Sequence, residues 1–132
     1  MIDIVHKSID TPLHLASKKG HIDAVRLLIE HGAYVNKKGN DKCTPLHNVS
    51  WSGHTDTMQL LIEAGANINE KSVGWTSLHE TSYNGHIHAI QLLIDAGADI
   101  NVKSDGGRTP LHWASCEGHT DAVQLLEKYG AQ

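Results

Sequence analysis

Eleven of the 132 residues are histidine and two are cysteine. These side chains hold metals, relay protons or attack carbonyls, so their spacing decides which chemistry is open to the chain. His14, His47, His79 and His112 recur at intervals of 33, 32 and 33 residues, and His21, His54, His86 and His119 keep step with them. Histidines at such intervals are periodic rather than clustered. No Cys/His group has zinc-site spacing, and Cys43 and Cys116 lie 73 residues apart with no disulfide framework around them. No metal and no cofactor is expected. His6, His31 and His88 fall outside the period; His88 replaces the aspartate of Asp23, Asp56 and Asp121 near an expected helix start, where a carboxylate is favoured.

Two further groups invite a nucleophilic reading. Ser77 stands where Pro12, Pro45 and Pro110 stand, at an expected helix N-terminus, with a hydroxyl and a free amide where an anion is stabilised. Cys43 precedes another such N-terminus, a position that lowers a thiol pKa. With histidines and Glu80 near in repeat space, a Ser–His or Cys–His pair is a route to acyl transfer. No nucleophile elbow or other catalytic motif accompanies these groups, so no residue is assigned a catalytic role.

The elements that position these residues are repeated. Thr11-Pro12-Leu13-His14 returns as Thr44-Pro45-Leu46-His47, Thr76-Ser77-Leu78-His79 and Thr109-Pro110-Leu111-His112. Gly20-His21, Leu27-Leu28-Ile29 and Gly32-Ala33 return in the same register, and self-similarity at this period marks a repeat array. Thr caps the free amides of a helix start, and Pro at the first helical position loses nothing. Leu13 and Ala16 share a face, and Gly20 stands where a left-handed cap is needed. A second helix runs from about Ile22 to His31. Its Ala24, Val25, Leu27, Leu28 and Ile29 cover so much surface that burial on more than one side is expected. The polar, Gly-rich stretch from Gly32 to Thr44 has turn composition. Two helices and a turn cannot bury those faces alone, so neighbouring units must stack.

The four tetrapeptides, the Gly-His pairs and the Leu-Leu-Ile…Gly-Ala…Asn endings resemble the ankyrin repeat, over essentially the whole chain from about Asp3 to Ala131. The resemblance implies an all-α fold with short β-hairpin or turn loops, an α-solenoid of four stacked helix-turn-helix repeats. One domain, residues 1–132, divides at about 3–35, 36–68, 69–100 and 101–132. The resemblance also implies protein binding through hairpin tips and the concave side of the first helices, and periodic histidines that bond to nearby backbone. Met1 to Asp10 make a poor hairpin, so the first repeat looks cut or capped by other means. Repeat three is one residue short between Asn69 and Thr76, so its loop should differ. Glu127 replaces Ile29, Ile62 and Ile94, and a carboxylate there is expected to close the array.

Composition is consistent with this. The chain is long enough for a continuous core, and its formal charge of −4 without a basic block argues against nucleic acid or an anionic membrane. Without an N-terminal secretory segment or a long apolar run, an intracellular monomer is expected. The sequon Asn48-Val49-Ser50 falls inside a helix and is not expected to be used.

What the repeat leaves unexplained marks the binding residues. Lys18, Trp51, Tyr83 and Cys116 share one column; Asp10, Cys43, Trp75 and Arg108 another; Leu15, Asn48, Glu80 and Trp113 a third. All three tryptophans fall in these variable columns. By the resemblance they line the concave face and hairpin tips, and aromatic residues amid polar ones have the composition of an interface. Trp51, Trp75, Tyr83 and Trp113 should form the centre of a patch, with Asn48, Glu80, Lys18, Arg108, Cys43 and Cys116 around it and Asp10 and Glu117 on the rim. The competing reading is an engineered ankyrin scaffold carrying an installed binding or Ser/Cys–His hydrolytic site, since departures cluster in repeats two and three.

Overall fold

A computed structural model describes residues 8–132. The expected start near Asp3, most of the Met1–Asp10 segment and His6 lie outside them. Eight α-helices follow in order: α1 (Pro12–Lys19), α2 (Ile22–Glu30), α3 (Pro45–Ser52), α4 (Thr55–Glu63), α5 (Ser77–Asn84), α6 (Ile87–Asp95), α7 (Pro110–Cys116) and α8 (Thr120–Lys128). Each odd helix opens as its tetrapeptide requires. Thr11, Thr44, Thr76 and Thr109 are extended, and each accepts a hydrogen bond from the amide of the histidine three residues on. Gly20, Gly53 and Gly85 close α1, α3 and α5 in the left-handed conformation.

The helices form two rows. α1, α3, α5 and α7 pack side by side, and α2, α4, α6 and α8 pack behind them. The core lies between the rows: Leu13, Leu46, Leu78 and Ala114 from one side meet Val25, Met58, Leu61, Ile90, Leu93 and Leu126 from the other. Burial of each of these leucine, isoleucine, valine and methionine side chains contributes about 1.5–3 kcal/mol. The expectation that α2 is buried on more than one side fails at its flank. Val25 is fully buried, but Ala24 is exposed and Leu27 is 57% exposed. α2 packs on α1 and α4, whereas α4 has a neighbour in the outer row on each side.

The loops ahead of α3, α5 and α7 close as tight hairpins. Gly39 N–H donates to Cys43 O at 2.7 Å, Ser72 N–H to Trp75 O at 2.7 Å and Ser104 N–H to Arg108 O at 2.8 Å. The third repeat's missing residue falls in its hairpin, which turns on Val73 and Gly74 alone, at φ 48° and 82°. Two left-handed residues suit a tight hairpin turn. Valine is a costly choice there, because its branched Cβ crowds the backbone.

The histidines join the repeats. Nδ1 of His14, His47 and His79 accepts from the backbone N–H of Thr11, Thr44 and Thr76 at 3.0, 3.0 and 3.1 Å. That leaves the proton on Nε2, which donates to the following hairpin: His14 to Cys43 O (3.0 Å), His47 to Glu70 O (2.8 Å) and His79 to Arg108 O (3.0 Å). The Gly-His histidines reach the other way. His86 Nε2 lies 3.1 Å from Trp51 O, and its ring covers Gly53, where a Cβ would come within 2.8 Å of it. Asn36, Asn69 and Asn101, each just after one outer helix, add a third seam by bonding through both amide atoms to the backbone just after the next outer helix. His112 departs from the pattern: it is exposed, and its Nε2 lies 3.3 Å from Cys116 Sγ. His88, outside the period, is exposed on α6.

Candidate functional site

The inner row fixes Trp51, Tyr83 and Trp113 on adjacent helices, and the hairpin ahead of α5 supplies Trp75. The four rings form one connected cluster. Trp51 stacks on Tyr83 with ring centres 6.3 Å apart and planes 18° from parallel. Tyr83 meets Trp75 edge-on at 5.7 Å and Trp113 edge-on at 5.8 Å. Trp75 and Trp113 are 4.9 Å apart. These separations are those at which aromatic pairs attract beyond their simple burial. Trp51 is 57% exposed, while Trp75, Tyr83 and Trp113 are half-buried against one another. Three of the four rings thus cover one another, and Trp51 alone is open to solvent over most of its surface.

The residues expected around the rings divide by position. The Arg108 guanidinium lies 5.2 Å above the Trp113 ring, a cation–π distance. Lys18, on α1, pairs with Asp10 at 3.7 Å. Cys116 and Glu117 are exposed at the end of α7. Lys18, Cys43, Asn48, Glu80 and Trp51 meet His47 in a cleft of about 420 Å³. No outer-row residue lines it. His47 escaped the sequence reading because its column was spent on the repeat joint, yet its ring also walls this cleft.

The chemistry of the cleft comes from burial. The Glu80 carboxyl is pushed up from 4.5 to about 8 by desolvation, with no cation paired to it among the described residues. Burial holds His47 and His79 below the ordinary imidazole value, against the backbone bonds that favour their charged forms. Asn48 Oδ1 and Trp113 Nε1 are buried without a hydrogen-bond partner among the described residues. Unpartnered buried polar atoms are uncommon in folded proteins; Ser17 Oγ and Ser82 Oγ share this state, so all four such atoms among the described residues belong to inner-row helices.

The nucleophile reading is corrected at both its residues. The Cys43 thiol is raised by burial; its hydrogen bond with Ser72 Oγ, at 3.1 Å, pulls the other way and is outweighed. The helix-start position thus does not yield a reactive thiolate. Ser77 is 1% exposed and closed to any substrate. Ser72, which also donates to Asp41 O at 2.7 Å, was invisible in the sequence because the deletion beside it obscures its column. Among the described residues no group of His, Cys, Asp and Glu could hold a metal ion, and no helix is long and apolar enough to cross a membrane.

The comparisons with known proteins agree with this architecture. The family model described as ankyrin repeats (3 copies) matches residues 2–72 and again 70–132. Among curated proteins, alpha-latrotoxin-Lh1a of Latrodectus hasselti is 45% identical over 38 residues, which is 29% of this chain and 3% of that protein. Alpha-latrotoxin-Lg1a of Latrodectus geometricus is 50% identical over 42 residues, which is 30% of this chain and again 3% of that protein. The chain thus spans only a few hundredths of the length of these relatives. Ankyrin repeats generally act as protein–protein interaction modules and are typically not enzymes. With matches along nearly its whole length, Thr-capped inner helices and histidine joints between successive units, the chain belongs to the ankyrin repeat family.

Proposed function

We propose that the chain is a monomeric, intracellular protein-binding module, dividing into four repeats at about residues 36, 69 and 101. Its partner is another protein, held on the concave inner-row face and hairpin tips without cofactor, metal, nucleic acid or membrane. The observation that carries this reading is the continuous ring cluster from Trp51 through Tyr83 and Trp75 to Trp113, which crosses three helix pairs and ends in an exposed indole. Clustered aromatic anchors ringed by polar groups are where interface energy concentrates. Lys18, Arg108, Asn48, Glu80, Cys43 and Cys116 form the surround.

The test is a phage-displayed library of random dodecapeptides panned against the immobilised protein. Selected peptides should lose about 2 kcal/mol or more of affinity on Trp51→Ala, and under about 1 kcal/mol on Glu117→Ala at the rim. Binders that ignore Trp51→Ala, Tyr83→Ala and Trp113→Ala alike would overturn the assignment.

A further inference from the structure

The cleft beside Trp51 holds a set of groups that fit one kind of occupant. Its lining comes from three inner helices and one hairpin: Lys18, Cys43, His47, Asn48, Trp51 and Glu80. Several of these are already engaged. His47 Nδ1 accepts from Thr44 and its Nε2 donates to Glu70 O. Cys43 Sγ bonds with Ser72 Oγ. Lys18 is held by the Asp10 carboxylate. What remains among the described residues is the buried, unpartnered Asn48 Oδ1, which only accepts, the Glu80 carboxyl without a cation, which becomes a second acceptor once its proton leaves, and the exposed Trp51 ring.

A pocket of unsatisfied acceptors beside an indole is complementary to a donor-rich cation with an apolar stem. A carboxylate or phosphate would take one hydrogen bond from the protonated Glu80 carboxyl but would face the lone pairs of Asn48 Oδ1 with like polarity, and a purely apolar group would leave both unpaired. We infer that this cleft receives a basic side chain, lysine or arginine, of the bound protein. The ammonium or guanidinium is held by Glu80 and Asn48 Oδ1, and the stem lies along Trp51. This rests on the binding reading above and adds the chemistry of the partner's anchor.

Binding of the cation is linked to a proton. Empty, the desolvated Glu80 carboxyl keeps its proton at neutral pH. A cation beside it favours the carboxylate, so the proton leaves to solvent as the cation enters. The other groups around the cleft do not mask this. His47 is held neutral, Cys43 stays a thiol, and Asp10 is spent on Lys18. Affinity should therefore rise with pH, by up to about tenfold per unit below pH 8, and level off above it.

The experiment uses the Trp51-dependent dodecapeptides from the panning. They should contain lysine or arginine. Replacing that residue with norleucine, or the protein's Glu80 with Gln, should each weaken binding by about 10- to 100-fold, with the second change adding little after the first. Glu80→Gln should also abolish the rise of affinity with pH. Asn48→Ala, with folding checked by thermal melting, supplies an independent variant and should weaken only the basic peptides. Trp51-dependent peptides that lack a basic residue, or that are unmoved by Glu80→Gln, overturn the inference and leave the binding face standing. Peptides that bind without regard to any of the aromatic residues overturn the binding face as well.

Discussion

The ring centre of Trp75 lies 4.9 Å from that of Trp113, although one residue precedes α5 and the other sits inside α7. The two indoles bridge successive repeats, so each carries folding as well as surface. Trp75→Ala and Trp113→Ala should each lower stability by about 1–3 kcal/mol, while Trp51→Ala should cost under about 1 kcal/mol. Urea unfolding of the three variants checks this ordering. A Trp51→Ala loss as large as that of Trp75→Ala would show that the exposed ring also supports the fold.

His79 is buried and holds both its own Thr76 amide and Arg108 O of the next hairpin. Its removal strands two backbone groups. His79→Ala should destabilise by about 2–4 kcal/mol, and His112→Ala, at an exposed ring without those bonds, by under about 1 kcal/mol. Equal effects at the two positions would mean that the bonds to the following hairpin add nothing.

The pH dependence of stability has two legs of opposite sign. His47 and His79 titrate below 6.5 in the folded protein, so acidification through 6.5 protonates the unfolded chain first and stability falls. Glu80 is ionised above 4.5 in the unfolded chain but only above about 8 when folded, so stability falls as pH rises between those values. Glu80→Gln should match the parent near pH 4.5 and exceed it by about 1–3 kcal/mol at pH 8.5, a figure reduced from the full shift because the carboxyl keeps some contact with water. Parallel stability–pH curves would remove the buried-carboxyl account.

Val73 sits at φ 48° and is 70% exposed in the two-residue turn. Asparagine tolerates that backbone far better. Val73→Asn should raise stability by about 0.5–1 kcal/mol, seen as a higher midpoint at unchanged slope in urea. A lower midpoint would indicate that the valine side chain makes contacts worth more than the strain.

The outer helix of the first pair buries Val25 but leaves Leu27 open, and the array should open from that end. Hydrogen exchange should find weaker protection in α1 and α2 than in α5 and α6. Equal or stronger protection there would reverse this order.

How far the chain could be read depended on whether a feature was local and repeated. Thr76 as a cap and Gly85 as a terminator need only their own neighbours, so the residue pattern sufficed for them. The meeting of Trp51 with Tyr83 follows from a shared column in stacked units. The state of Cys43 did not, because the helix-start effect and desolvation oppose each other, and only packing shows that burial is larger. The unpartnered Asn48 Oδ1 and the Ser72–Cys43 bond likewise arise between repeats, at positions where the copies differ. Leu27 looks like Leu60 and Leu92 in sequence, but α2 has an outer-row neighbour on one side only, whereas α4 and α6 have one on each side.

His14, His47 and His79 grip carbonyl oxygens of the following unit, not its side chains. The residues that offer those oxygens are Cys43, Glu70 and Arg108, three unrelated types, because every amino acid carries the same carbonyl. The joint is therefore indifferent to the identity of what it holds. A unit that brings its own threonine, histidine and glycines can be exchanged for another whatever it displays on the inner face. At these joints, selection for holding together and selection for what is displayed thus act on different letters of the chain. Shuffling whole units becomes a low-risk route to a new specificity, and the residues that offer the carbonyls can drift without loosening these histidine joints.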